Sequence, residues 1–240
     1  CDEGILETLD AADLPKGDDG TPADQDFIQG TVNECAVGTI VWSTVYAYDT
    51  TKFKAGPKTI ADFFDLKKFP GKRGMRKTPK ANLEFALMAD GVPAGDVYKT
   101  LATPAGVERA FKKLDTIKDQ TIWWEAGAQP PQLLADGEVV MTTAYNGRLF
   151  NAIVNEKKPF DIVWDGQVWD IDLWVIPRGA PNKDRAWEFI KFSTDTQRLA
   201  DQSKWISYGP VRKSSFPKVP KEMQPHMPTA PDNFKNPLQN

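Results

Sequence analysis

Histidine is almost missing from this chain of 240 residues: His226 stands alone, in a proline-rich tail where a solvated loop residue is expected. With one imidazole and only two thiols, Cys1 and Cys35, no Cys–His spacing can build a zinc site. A Gly-rich phosphate loop, a Gly-x-Ser-x-Gly elbow and a dinucleotide fingerprint are absent too. The stretch DGTPADQD (19–26) lacks the alternating carboxylates and closing Glu of a calcium loop. No apolar run approaches the ~18–20 residues that span a bilayer. The net charge of −3, with basic residues scattered, gives no electrostatic footprint for nucleic acid. With 33 Asp and Glu some carboxylate pair is inevitable, so a pair by itself is weak support for acid–base chemistry. These absences favour binding over catalysis and imply no cofactor.

What is present is ordinary for a globular protein, 40% hydrophobic and 26% charged, with a length that suits one large domain or two lobes. The chain shows no initiator Met, no apolar signal segment and no targeting tail, which reads as a start after processing or inside a longer gene product. Cys1 and Cys35 leave three states open: separate buried thiols in a reducing compartment, a disulfide in an exported protein, or a lipid on Cys1.

Along the chain, 10–26 is acidic, rich in Gly and Pro, and reads as an exposed loop. GTIVWSTVYAYD (38–49) reads as buried strand, and Thr59 as the N-cap of a short helix IADFFDL. A Pro-Gly turn in KKFPGKRGM leads towards a strand, and NLEFALMADG predicts a helix stopped by Gly91. The clearest amphipathic helix is 104–119, with Val107, Ala110, Phe111, Leu114 and Ile117 on one apolar face. TIWWE, PQLLADG and EVVMTTAY follow as strand, helix and strand, the order of a parallel α/β sheet. Another helix-like piece runs to about 155, then strands FDIVW and VWDIDLWVIP. NKDRAWEFIKFST predicts a helix capped by Asn182 with Ala186, Phe189, Ile190 and Phe192 inward, and a further helix begins at Asp195. From Ser214 onward the tail is proline-rich and irregular.

Taken in order, TIADFFDLKKFPGKRGMR, FALMADGV, WWEAGAQPPQLLADGEVVMTTAYNGR, DIDLWVIPRGAPNKDRAWEFIKF and YGPVRKSS resemble the periplasmic solute-binding proteins of polyamine (spermidine/putrescine) ABC transporters. The resemblance runs from about 38 to 214 and implies a two-lobed α/β fold of the type II periplasmic-binding kind, its amino-terminal lobe incomplete, with the ligand in an interlobe cleft. Against that family the chain looks cut at both ends. The implied division is 1–48 for the rest of the first lobe, 49–170 for the second, and 171–240 for the return. The resemblance also implies a monomeric, periplasmic, non-enzymatic receptor that hands its solute to an inner-membrane permease, and it favours a Cys1–Cys35 disulfide over a lipid anchor.

A polyamine needs carboxylates for its ammonium ends and aromatic walls for its methylenes. By resemblance Asp172, five residues before Pro177, is the ammonium-binding aspartate. Tyr145, with Asn146 beside it, and Tyr208 match cleft positions in the same way. Trp42, Ser43 and Trp174 are further candidates. Alternation along WDIDLW puts Asp170, Asp172 and Trp174 on one face and turns Trp169 to the other. The family's acidic pair is missing here: Thr78 and Ala81 occupy those places, leaving Glu84 and Glu125 as substitutes. Lys77, Lys80 and Arg148 suit a carboxylate-bearing ligand instead, so an amino acid, opine or other zwitterion is the alternative, with Arg148 on the carboxylate. A carboxylate-pair hydrolase is the third reading.

Overall fold

The computed structural model describes residues 1–234 and 236–240. Its strands are β1 (Val32–Asn33), β2 (Ala36–Asp49), β3 (Arg73–Arg76), β4 (Thr121–Trp124), β5 (Met141–Tyr145), β6 (Phe160–Trp174), β7 (Gly209–Pro210) and β8 (Leu238–Gln239). The α-helices are α1 (Ala23–Asp26), α2 (Ile60–Phe64), α3 (Asn82–Ala89), α4 (Val97–Leu101), α5 (Pro104–Asp115), α6 (Gln129–Ala135), α7 (Asn146–Phe150), α8 (Lys183–Ser193) and α9 (Thr196–Gln202). They form two compact units: unit 1 is Cys1–Trp42 with Ile171–Ala230, and unit 2 is Ser43–Asp170 with Pro231–Asn240. The chain therefore passes between them three times. Relative to the expected division, the first passage comes six residues before 49 and the last ten residues belong with unit 2.

Unit 2 is a mixed sheet with helices against it. β3 lies parallel to β4 and to β5, and β2 runs antiparallel to β5 with Thr44 opposite Tyr145. β8 adds in parallel to β6 at Val168 and Trp169. Tyr46, Phe63, Met75, Phe85, Leu87, Ile117 and Met141 fill one core, each nearly inaccessible; burial of such a side chain is worth about 1.5–3 kcal/mol. Thr59 and Asp62 form a reciprocal capping box that fixes the start of α2. Arg73, wholly buried, donates to the carbonyls of Phe63, Gly71 and Phe69 at 2.7 Å each, and burial lowers its pKa to about 10. Inside β6, Gly166 adopts φ +71°, where a Cβ would also press on Ile60 at 3.2 Å. That glycine lets FDIVW and VWDIDLW continue as one strand where two were expected.

Unit 1 hangs on the first part of β2. β1 pairs with it at Val32↔Val37, and β7 pairs antiparallel at Ile40↔Pro210 and Val41↔Gly209. Cys1 and Cys35 are joined in a disulfide with Cα atoms 5.7 Å apart. Closing a loop of 34 residues in this way is worth about 3–4 kcal/mol on the chain-entropy account. The stretch 10–26, expected to be an exposed loop, ends in α1, and its Asp26 is 1% exposed. The cause is a partner 186 positions away: Arg212 Nη1 donates to Asp26 Oδ2 at 2.9 Å.

Other expectations are corrected by packing. Phe111 of α5 is 53% exposed, while Ala110, Leu114 and the following Ile117 are buried, so the inward face is narrower than the periodicity suggested. On α8, Phe189 and Phe192 are exposed and Ile190 alone is buried. Asn182 makes no side-chain cap there, whereas Asp195 caps α9 through Gln197 and Arg198. His226 is half-buried in a short 3-10 turn, and burial lowers its pKa. The tail from Ser214, read as irregular, carries short 3-10 turns and the strand β8.

Candidate functional site

The predicted site residues fall into two groups, one in each unit. In unit 1, Tyr208 immediately precedes β7, which pairs with β2 at Ile40↔Pro210 and Val41↔Gly209, and Trp42 is the next residue of β2. Trp42 Nε1 donates to Asp172 Oδ1 at 2.9 Å. Asp172 is exposed, and its other oxygen has no hydrogen-bond partner among the described residues. An indole N–H thus orients a carboxylate while leaving half of it available to a ligand cation. Trp174, two residues on and 36% exposed, stacks edge-to-face on Phe189 with centroids 5.4 Å apart. Trp169 is 5% exposed and lies in unit 2 against Phe234, as the strand alternation required.

In unit 2, Tyr145 ends β5 and Asn146 opens α7. The Tyr145 ring meets Trp124 edge-to-face at 5.9 Å, and the Arg76 guanidinium stands 5.7 Å from its centroid. Gly127 permits this: a Cβ there would come within 2.9 Å of the ring. Asn146 is fully buried and its Oδ1 accepts the Ser43 backbone N–H at 3.0 Å. Ser43 Oγ donates to Gln167 Oε1 at 2.5 Å. Ser43 is therefore part of a buried polar network. Arg148, the third residue of α7, is exposed and makes no ion pair among the described residues.

The substitute acids are not brought to this group as free carboxylates. Glu125 is exposed and pairs with Lys77 at 3.3 Å. Asp170, which the alternation set beside Asp172, pairs with Lys80. Glu84 is 4% exposed; its Oε1 accepts from Asn240 Nδ2 at 3.0 Å and Tyr98 Oη at 3.3 Å, while Oε2 is buried without a partner among the described residues. Burial raises the Glu84 pKa above its ordinary 4.5. A raised carboxyl contributes stability that is present below its unfolded pKa and is lost as pH rises through the folded one. Glu84→Gln is accordingly expected to raise the melting temperature at pH 8, with the gain disappearing at pH 4; a melting series across that range checks it.

Gln167 and the pairs Lys80–Asp170 and Arg76–Tyr145 were not anticipated. The only trace of Gln167 in the sequence is an amide set in an apolar strand. Among the described residues no group of three His, Cys, Asp or Glu side chains could hold a metal ion, and no helix is long and apolar enough to cross a membrane.

The mixed α/β fold in two units is that of the two-lobed periplasmic binding proteins, and the sequence comparison makes the class definite. The chain belongs to the bacterial extracellular solute-binding protein family, whose profile matches residues 1–229. Members are transport receptors, not enzymes, and they act outside the cytoplasm, in the periplasm of Gram-negative bacteria. The gamma-aminobutyric acid-binding protein of Pseudomonas aeruginosa is 50% identical over 235 residues, which cover 98% of this chain. This chain spans 64% of the length of that curated relative. The solved structure of the PBP MotA from A. tumefaciens B6 in complex with glucopine is 33% identical, with TM-score 0.84, over 99% of this chain and 72% of that one. The polyamine resemblance weakens by comparison. The spermidine/putrescine protein PotD from Streptococcus pneumoniae is 16% identical, with TM-score 0.78, over 99% of this chain and 72% of that one, a likeness of fold alone.

Proposed function

We propose that the chain is the substrate-binding part of an ABC importer for a small carboxylated amine, of the gamma-aminobutyric acid or opine kind, which it passes to a membrane permease. The observation that carries this reading is the state of the acids. A polyamine needs a carboxylate at each ammonium, yet Glu125 and Asp170 are paired with lysines and Glu84 is enclosed, which leaves Asp172. The shortage of open carboxylates argues against a dication, and the exposed Arg148 of unit 2 suits a carboxylate-bearing ligand. In this reading Asp172, held by Trp42, is the candidate in unit 1 for the ammonium, and Arg148 is the candidate in unit 2 for a carboxylate, as a two-pronged donor; Tyr208 and Tyr145 are the ring candidates of the same two units. The ligand named for the Pseudomonas relative has this chemistry. The polyamine expectation gives way to the zwitterion alternative.

Titration calorimetry with gamma-aminobutyric acid, glucopine, putrescine and spermidine tests the choice. Heat is expected with the carboxylated ligands, and binding to the two polyamines at least about 100-fold weaker, since each lacks the carboxylate that a charge-assisted pair would hold. Equal or tighter binding of putrescine would restore the cation reading.

A further inference from the structure

Ser43, Asn146 and Gln167 are each fully buried, and their bonds converge close to all three passages of the chain between units. Ser43 is the first residue of unit 2 after Trp42. Gln167 lies three residues before the passage at Asp170, and Asn233 two residues after the passage ends at Pro231. Ser43 N donates to Asn146 Oδ1 at 3.0 Å, Ser43 Oγ to Gln167 Oε1 at 2.5 Å, and Gln167 Nε2 to the Asn233 carbonyl at 2.7 Å. One serine therefore ties β2 to β6 and to the start of α7, and one glutamine ties β6 to the returning tail. Buried amides and hydroxyls held this way fix register and direction, because a slip would leave several desolvated groups unpaired at once.

Both ends of this network adjoin proposed ligand groups. Asn146 follows Tyr145 and precedes Arg148 on α7, and Ser43 follows Trp42, which holds Asp172. We infer that Ser43 and Gln167 are positioning residues: they set where Tyr145 and Arg148 stand, and so tune ligand affinity without touching the ligand. The inference rests on the receptor reading above for its ligand, though not for its geometry.

The test compares Ser43→Ala, Gln167→Met, their double variant and Ser43→Thr with Leu114→Ala, a core substitution in the same unit remote from the network. Gamma-aminobutyric acid binding is measured by calorimetry, stability by thermal melting, and backbone opening by hydrogen exchange of 43–49 and 146–150. Each single variant is expected to weaken binding about tenfold, the double no more than the worse single, and Ser43→Thr to bind nearly as wild type, as members of one network do. Leu114→Ala should lose stability but keep its affinity. Single variants that bind like wild type, or an equal loss in Leu114→Ala, overturn the inference. If the wild-type chain binds no carboxylated amine, the receptor reading fails and exchange decides this one. Faster exchange at 43–49 and 146–150 in Ser43→Ala but not in Leu114→Ala supports it; unchanged exchange overturns it.

Discussion

Arg212→Ala is expected to be the most damaging single substitution in unit 1. The guanidinium and its partner Asp26 have side chains 0% and 2% exposed. Arg212 donates through Nε to the Thr194 carbonyl at 2.6 Å, through Nη1 to Asp26 at 2.9 Å and through Nη2 to the Pro15 carbonyl at 2.8 Å, and it lies 4.1 Å from the centre of the Phe27 ring. Asp26 in turn accepts the Ser214 backbone N–H at 2.8 Å and the Ser214 hydroxyl at 2.7 Å. Removing the cation leaves a buried carboxylate and two carbonyls without it, and breaking such a pair costs about 3–5 kcal/mol. Lysine should not rescue, since one ammonium cannot reach three acceptors arranged around a planar fork. Arg212→Met combined with Asp26→Leu should be less harmful than Arg212→Met alone, because both charges leave together. Urea denaturation of the set, read by tryptophan fluorescence, checks this. A loss under about 1 kcal/mol for Arg212→Ala, the scale of an exposed ion pair, would show that water reaches the pair.

The second large effect falls on affinity. Asp172→Asn keeps an oxygen for the Trp42 indole and the same shape, yet removes the charge that the proposed ammonium needs. Loss of such a partner costs about 2–3 kcal/mol, a fall in affinity of roughly 30- to 150-fold. Because Asp172 is exposed, the melting temperature of the unliganded protein should scarcely move. Arg148→Gln should lose a comparable factor for carboxylated ligands. Calorimetry beside a thermal melt separates the two quantities. Binding of gamma-aminobutyric acid within threefold of wild type in Asp172→Asn would remove this aspartate from the site.

How much of this was legible can be judged residue by residue. The N-cap at Thr59, the helix opened by Pro104 and the strand 38–49 all follow from interactions within a few positions, and the structure has them. Phe111, Phe189 and Phe192 went wrong because a helical period says which residues share a face, not how much of that face a neighbour covers. A serine at a strand end looks available to a ligand, yet Ser43 Oγ donates to a glutamine 124 positions away. Glu84 and Glu125 look like free carboxylates in the sequence for the same reason, since their partners Asn240 and Lys77 are distant along the chain.

The amino-acid sequence by itself determined the class of fold and the run of rings and acids near strand ends, because period, caps and composition act over short stretches of chain. Which acids stay open was decided only by the tertiary structure. A carboxylate's availability depends on the cations, amides and apolar walls brought to it from far along the chain, and no local pattern encodes those meetings. The ligand class proposed above rests on such meetings: Glu125 and Asp170 engage lysines distant in sequence, while Asp172 and Arg148 are exposed.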